Sequence, residues 1–100
     1  MGSTKKPHGL GLGTPTHLIL YRTPEGWRFA AYFENPGSIL DGGLGDTAVS
    51  SQAGIAQSAL HRNMEELTRR RLVVCWQPGD QSDWWSGIVI KAGPNSKSGG

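Results

Sequence analysis

The sequence predicts a small α+β domain in which one amphipathic helix packs on a mostly antiparallel sheet of four or five strands, in the order β-β-(β)-α-β-β. Two pairs of strand-length apolar runs, each pair joined by turn residues, predict two hairpins. The segment between the hairpins has apolar residues at helical spacing. Both faces of the strands carry apolar side chains, whereas one helix covers only one face of a sheet. We therefore expect a second copy or a partner to supply the missing layer.

The first hairpin is predicted over residues 16–22 and 27–34, which are separated by the sequence Thr-Pro-Glu-Gly. Proline and glycine stand where a tight reversal of the chain needs them. Alternation along the second strand places four apolar side chains on one face, which we expect to be core: Trp27, Phe29, Ala31 and Phe33. Phe29 lies at the centre of this stripe.

A glycine-rich segment follows Asn35-Pro36-Gly37. Ile39 and Leu40 are compatible with a short third strand, but the glycines of residues 37–45 predict a connecting loop. The segment lacks the Gly-Lys-Ser/Thr ending of a P-loop and the glycine spacing of a dinucleotide-binding loop. We therefore expect no phosphate site there.

The helix is predicted from about residue 50 to residue 70, with an apolar stripe at spacings of three and four: Ala53, Ala56, Leu60, Met64 and Leu67. Either Ser50 or Ser51 is the expected N-cap. Leu60 lies at the centre of the stripe and is expected in the core between helix and sheet. The opposite side is expected to be solvated, because it is polar: Gln57, His61, Arg62, Glu65, Glu66 and Arg69.

The second hairpin is predicted over residues 72–76 and 84–91, joined by a polar turn. Trp84 and Trp85 are adjacent in its second strand, so one indole should face each side of the sheet. Since the helix returns the chain across the sheet, we expect residues 72–76 to run beside the first strand. Cys75, the only cysteine, lies in this apolar run and is expected to be a buried thiol.

The folded unit is predicted to be residues 14–92, between disordered tails at residues 1–13 and 93–100 that are rich in Gly, Ser and Lys. The tails hold three of the ten basic residues, whereas the folded unit holds all eight acidic ones. Seven basic against eight acidic residues weigh against a folded surface that neutralises phosphates. The sequence shows no signal peptide and no membrane-spanning run, so we expect no membrane association and a cytoplasmic location.

The function that these features favour is a non-enzymatic interaction module, which self-associates or binds a protein partner through the sheet face opposite the helix. The expected partner-binding residues are Ile19, Tyr21, Tyr32 and Trp84, because apolar surface without cover marks interaction sites. No catalytic residue, cofactor or metal site is predicted. The sequence has no nucleophile motif, and His61 and Glu65 have no third ligand nearby.

The alternative function is a nucleic-acid-binding or antitoxin-like regulatory protein. Trp84, Tyr21 and Tyr32 could form a stacking surface for single-stranded bases, and the N-terminal tail is basic. The densest positive cluster of the folded unit is residues 69–71, but cations at a helix C-terminus are already stabilised by its carbonyl groups. Nucleic acid is therefore the less favoured partner.

The stretch from Glu25 to Gly37 (EGWRFAAYFENPG), followed by Gly45-Asp46-Thr47 and an alanine-bearing helix, resembles the N-terminal domain of HicB-type antitoxins. In that family a hairpin, a Pro-Gly turn and Gly-Asp-Thr lead into the helix of a truncated RNase H-like fold. The chain departs from the family at the glycine-rich residues 40–44. Its second hairpin also stands where the family appends DNA-binding elements. The resemblance therefore implies a small oligomeric protein-binding module more than a DNA repressor.

Overall fold

The computed structural model describes residues 12–94, which form one helix on a five-stranded sheet. In chain order the elements are β1 (Thr14–Thr23), β2 (Gly26–Glu34), β3 (Ser38–Gly43), α1 (Ala53–Thr68), β4 (Leu72–Pro78) and β5 (Trp84–Ala92). The order across the sheet is β3-β2-β1-β5-β4, and all neighbouring strands are antiparallel. The predicted α+β class and element order are confirmed, and the third strand is present.

Most of the two predicted tails, residues 1–11 and 95–100, lies outside the described residues. Leu12 packs against the core, and the amide of Gly93 donates to the carbonyl of Arg71 at 2.8 Å. The first residues beyond β1 and β5 therefore still pack on the domain.

The predicted position of the strand after the helix is wrong, because β5 rather than β4 runs beside β1. Leu20 and Tyr21 of β1 lie opposite Trp85 and Trp84 of β5. The interior of a sheet favours a strand with large apolar side chains on both faces, as β5 has. β4 ends at Pro78, a residue suited to an edge strand. The helix thus leads the chain to the far edge, and the second hairpin folds inward.

The core lies between α1 and one face of the sheet. The four predicted core residues of β2 are all buried, Phe29 among them, and Leu60 is fully buried as predicted. The buried apolar residues form one cluster: Leu18, Leu20, Trp27, Phe29, Ala31, Phe33, Leu44, Ala56, Leu60, Met64 and Leu72. Because alternate residues of a strand point in opposite directions, the other strand residues form a second face that α1 does not cover.

The glycine-rich segment is mostly an edge strand rather than the predicted loop. β3 pairs with β2 along its whole length, from Ser38 opposite Phe33 to Gly43 opposite Arg28. Pairing with β2 overrides the low strand propensity of glycine. Leu44 then enters the core, and its amide donates to the carbonyl of Trp27 at 2.9 Å.

Arg22 joins β1 to the turn before β5 and to the loop before α1. Its guanidinium contacts the two carboxylate oxygens of Asp83, each at 3.1 Å. Its Nη1 donates to the carbonyls of Val49 at 2.6 Å and Ser51 at 3.1 Å. Its Cζ atom lies 4.6 Å from the ring centroid of Trp27, a cation–π contact. One side chain therefore connects three separate parts of the chain.

The expected serine N-cap is wrong, because α1 begins at Ala53 and its N-cap is Gln52, without a side-chain hydrogen bond. Ser51 contributes its carbonyl instead, which accepts from Arg22 and from Trp27 Nε1 at 3.2 Å. Tertiary contacts of the preceding loop thus determine where the helix starts.

The polar side of α1 is not solvated throughout as predicted, because His61 and Glu65 contact the start of β4. His61 Nε2 donates to the carbonyl of Leu72 at 2.8 Å, and Glu65 accepts from the amide of Leu72 at 2.9 Å. The helix ends at Thr68, and its C-cap Arg69 has a left-handed φ of 58°. These two side chains therefore anchor β4 to the end of the helix.

Candidate interaction surface

The sheet face that α1 leaves uncovered, called the open face below, is the candidate functional site. The strand registers place its side chains in three rows. The first row contains Arg28, Tyr21 and Trp84; the middle row contains Asp41, Ala30, Ile19, Ser86 and Gln77; the third row contains Ile39, Tyr32, His17, Ile88 and Cys75. Beyond the third row lie Glu34, Val73 and Lys91. All four predicted partner-binding residues therefore lie on the open face.

Tyr21 and Trp84 form an aromatic pair in the first row. They lie directly opposite each other on β1 and β5, and their stacked rings have centroids 4.7 Å apart and an interplanar angle of 19°. Trp84 nevertheless remains 38% exposed. The neighbouring Trp85 packs against the core on the other face, so one indole lies on each side of the sheet as predicted.

Tyr32 and His17 form a second ring pair in the third row, with centroids 5.8 Å apart and an interplanar angle of 29°. His17 Nε2 also lies 2.7 Å from Ser86 Oγ, in a hydrogen bond. Neither His17 nor Ser86 was predicted from the sequence to belong to this surface. Strand alternation was the available signal, because His17 shares its face of β1 with Ile19 and Tyr21.

Ile19 lies at the centre of the open face and separates the two ring pairs. Tyr21 and His17 are four residues apart along β1, which is about 13 Å. The structure therefore brings Tyr21 and Trp84 into contact, whereas Tyr32 belongs to a separate cluster.

The open face exposes apolar surface. Most of the well-exposed large hydrophobic residues in the described part of the chain lie on it: Tyr32, Ile39, Val73, Trp84 and Ile88. Cys75 is exposed there as well, so the predicted buried thiol is wrong. Its strand lies at the sheet edge, and its side chain points away from the helix.

Charged residues surround the open face and are absent from its centre on β1 and β5. Four are found among the described residues: Arg28, Glu34, Asp41 and Lys91. The two cations and two carboxylates balance each other. Apolar and aromatic residues inside a charged border are the composition typical of protein interfaces.

Another candidate surface, which is polar, lies at the C-terminal end of α1. It is a depression lined by Arg62, Glu65, Glu66 and residues 69–71. Arg70 Nη1 donates to the carbonyl of Gly93 at 2.8 Å, and Glu65 is bound to β4. Mixed charges and structural contacts explain this cluster, which makes it a weaker candidate than the open face.

No three His, Cys, Asp or Glu residues within residues 12–94 lie close enough together to hold a metal ion. The same part of the chain contains no helix with the length and hydrophobicity that crossing a membrane requires.

Comparison with known protein families, curated proteins and solved structures finds no match to this chain. The resemblance to HicB-type antitoxins stays a prediction from the residues that carry it. Function therefore has to be inferred from the open face itself.

Proposed function

We propose that this chain is a non-enzymatic interaction module whose open face binds a protein surface. The observation that supports this proposal is the third row, which crosses all five strands without an Asp, Glu, Lys or Arg side chain. Removing apolar surface from water contributes about 25 cal/mol per Å², and part of this gain offsets the entropy that two proteins lose when they associate. Monomeric domains rarely leave a large contiguous apolar face exposed.

The polar groups at the centre of the open face are compatible with burial. His17 Nε2 and Ser86 Oγ are already joined by a hydrogen bond. Burying a hydrogen-bonded pair costs far less free energy than burying two unpaired polar groups. A protein partner therefore needs to supply little polar surface opposite β1 and β5.

Nucleic acid is the less well supported partner. Bases stack on free ring faces, whereas Tyr21 and Trp84 each cover one face of the other. The balanced charges around the open face provide no net attraction for phosphates. An antitoxin-like role is a secondary proposal, and it too would use the open face for a protein partner.

The test compares the wild type with the double variant Ile19→Lys, Tyr21→Glu. Light scattering measures the mass of each protein alone and after incubation with a nuclease-treated cell extract. We expect the wild type to form a dimer or a complex and the double variant to lose it, because charges without partners would be buried. Circular dichroism checks that the variant keeps its fold.

Ile55→Lys is the matched control, since Ile55 is 60% exposed and lies on α1, away from the open face. This variant should bind as the wild type does. The proposal is overturned if the wild type stays monomeric at every concentration and the double variant retains each complex that the wild type forms. A salt-sensitive gel shift with single-stranded nucleic acid, lost in the double variant, would overturn it in favour of the alternative.

A further inference from the structure

Building on the proposed function, we infer that the occupant of the open face is a second copy of this chain, packed sheet to sheet about a two-fold axis parallel to β1. Stacked sheets lie about 10 Å apart, with strand directions within about 30° of each other. In this arrangement β2 faces β5 of the second copy, and β3 faces its β4. The axis passes between the two copies of β1, which face each other. The interface is isologous, so every contact between different residues occurs twice.

The charges of the open face are complementary to this arrangement. Arg28 faces Trp84 of the second copy across the first row, which is a favourable cation–π pairing. Asp41 faces Gln77 of the second copy across the middle row, where the amide can donate to the carboxylate. No two like charges meet in the three rows.

The apolar residues are complementary as well. Ile19 faces Ile19 of the second copy on the axis, and Tyr32 faces Ile88 in the third row. Ile39, which is 63% exposed on the edge strand β3, faces Cys75 on the opposite edge. Three exposed apolar residues of the open face, Ile39, Tyr32 and Ile88, are thus each paired with an apolar residue.

The other face-to-face arrangement, with the two-fold axis across the strands, is disfavoured. It would place each strand over the equivalent strand of the second copy. The first row of one copy would then face the third row of the other. With this axis through the middle row, Asp41 would face Asp41 of the second copy, and like charges directly opposite each other weaken an interface. The two arrangements therefore differ in what Asp41 and Gln77 meet.

The size of the open face is consistent with a dimer of modest affinity. Five strands and their three rows give a face about 24 Å wide and about 20 Å long. Two copies together would bury about 1,000 Å², which is the lower limit for a specific interface. We expect the dimer to dissociate on dilution.

Charge complementation at Ile19 tests the inference. Ile19→Asp and Ile19→Lys should each be monomeric, because each would bring two like charges together on the axis. An equimolar mixture should associate at least about tenfold more tightly than either variant alone, because opposite charges then meet. Sedimentation equilibrium measures the three dissociation constants, and Ile55→Asp on α1 serves as the control that should dimerise as the wild type does.

Substitutions at Gln77 test the direction of the axis without disturbing the core, because Gln77 is exposed on the edge strand. Gln77→Lys should lower the dissociation constant by about threefold to tenfold, since the lysine of each copy would face Asp41 of the other and form two ion pairs. Gln77→Glu should raise it. If both substitutions weaken the dimer, the axis runs across the strands and the inferred arrangement is wrong.

The outcomes separate this inference from the proposed function. A wild type that stays monomeric, while a complex with another protein is lost in the Ile19 variants, overturns the homodimer and leaves the proposed function standing. Failure of the mixture to restore association also overturns it. Dimerisation that persists in both single Ile19 variants would contradict the use of the open face altogether.

Discussion

Arg22 is the side chain on which we expect the loop before α1 to depend most. Arg22→Ala removes the paired contact with Asp83 and the donor for the carbonyls of Val49 and Ser51. We expect the free energy of unfolding to fall by about 2–3 kcal/mol, because hydrogen bonds that involve a charged group are the stronger ones. Urea denaturation measures the loss. Arg62→Ala, on the exposed side of α1, is the control, and an equal loss in both variants would contradict this role.

Two glycines should respond to alanine in opposite directions. A Cβ atom at Gly87 would lie 2.8 Å from a ring carbon of Trp76 and 2.9 Å from a methyl carbon of Val74. We therefore expect Gly87→Ala to destabilise the fold by about 1–3 kcal/mol. Among residues 12–94, no atom outside the backbone of α1 lies within 4 Å of such an atom at Gly54, so Gly54→Ala should stabilise the protein by about 0.5–1 kcal/mol. Thermal unfolding would show the opposite shifts; a Gly87→Ala protein as stable as the wild type would rule out this close packing.

For individual residues, the sequence predicted the positions that follow from alternation within one strand. It did not predict the contacts that residues make with distant parts of the chain. Alternation alone placed Phe29 in the core and Ile19 on the opposite face, because both follow from the two-residue period. The side-chain hydrogen-bond partners of Arg22 lie 27 to 61 residues away along the chain, and no local pattern reports contacts at that separation. The prediction that Cys75 is buried was wrong, because the exposure of this residue depends on its strand lying at the edge of the sheet.

The packing of α1 on the sheet depends on the apolar stripe centred on Leu60. Leu60 is fully buried, so Leu60→Ala should lower the free energy of unfolding by about 2–5 kcal/mol through lost burial and the cavity that remains. Ile55→Ala on the exposed side of the same helix should cost far less. Chemical denaturation of both variants tests the orientation of the helix, and comparable losses would mean that its faces are assigned wrongly.

The elements themselves were largely predictable, because helical and strand periodicity are local properties of the sequence. Their ends and neighbours were not. The start of α1 is determined by hydrogen bonds from Arg22 and Trp27 to the carbonyl of Ser51. The strand β3 forms because its backbone pairs with β2. The position of β5 beside β1 depends on which strand is best suited to the interior of the sheet. The sequence of one segment alone cannot predict this, because it depends on all the strands.

In the whole molecule, one helix covers one face of a sheet that carries apolar side chains on both faces. The sequence predicted this imbalance from the two-sided strands, and the four residues that it proposed for partner binding lie on the open face. It did not reveal the three-row arrangement, since that depends on the register between strands. Two copies stacked through their open faces would form a four-layer α-β-β-α assembly with both helices outside.

The reactivity of Cys75 tests the burial of the open face most directly, because this thiol is exposed in the third row and is the only one in the chain. The measurement is the rate at which a maleimide labels the wild type at increasing protein concentration. We expect the rate to fall as the dimer forms, while Ile19→Lys keeps the rate of the dilute protein. A wild-type rate that is the same at every concentration, together with a mass that stays at the monomer value of 10.7 kDa, would contradict dimerisation through the open face.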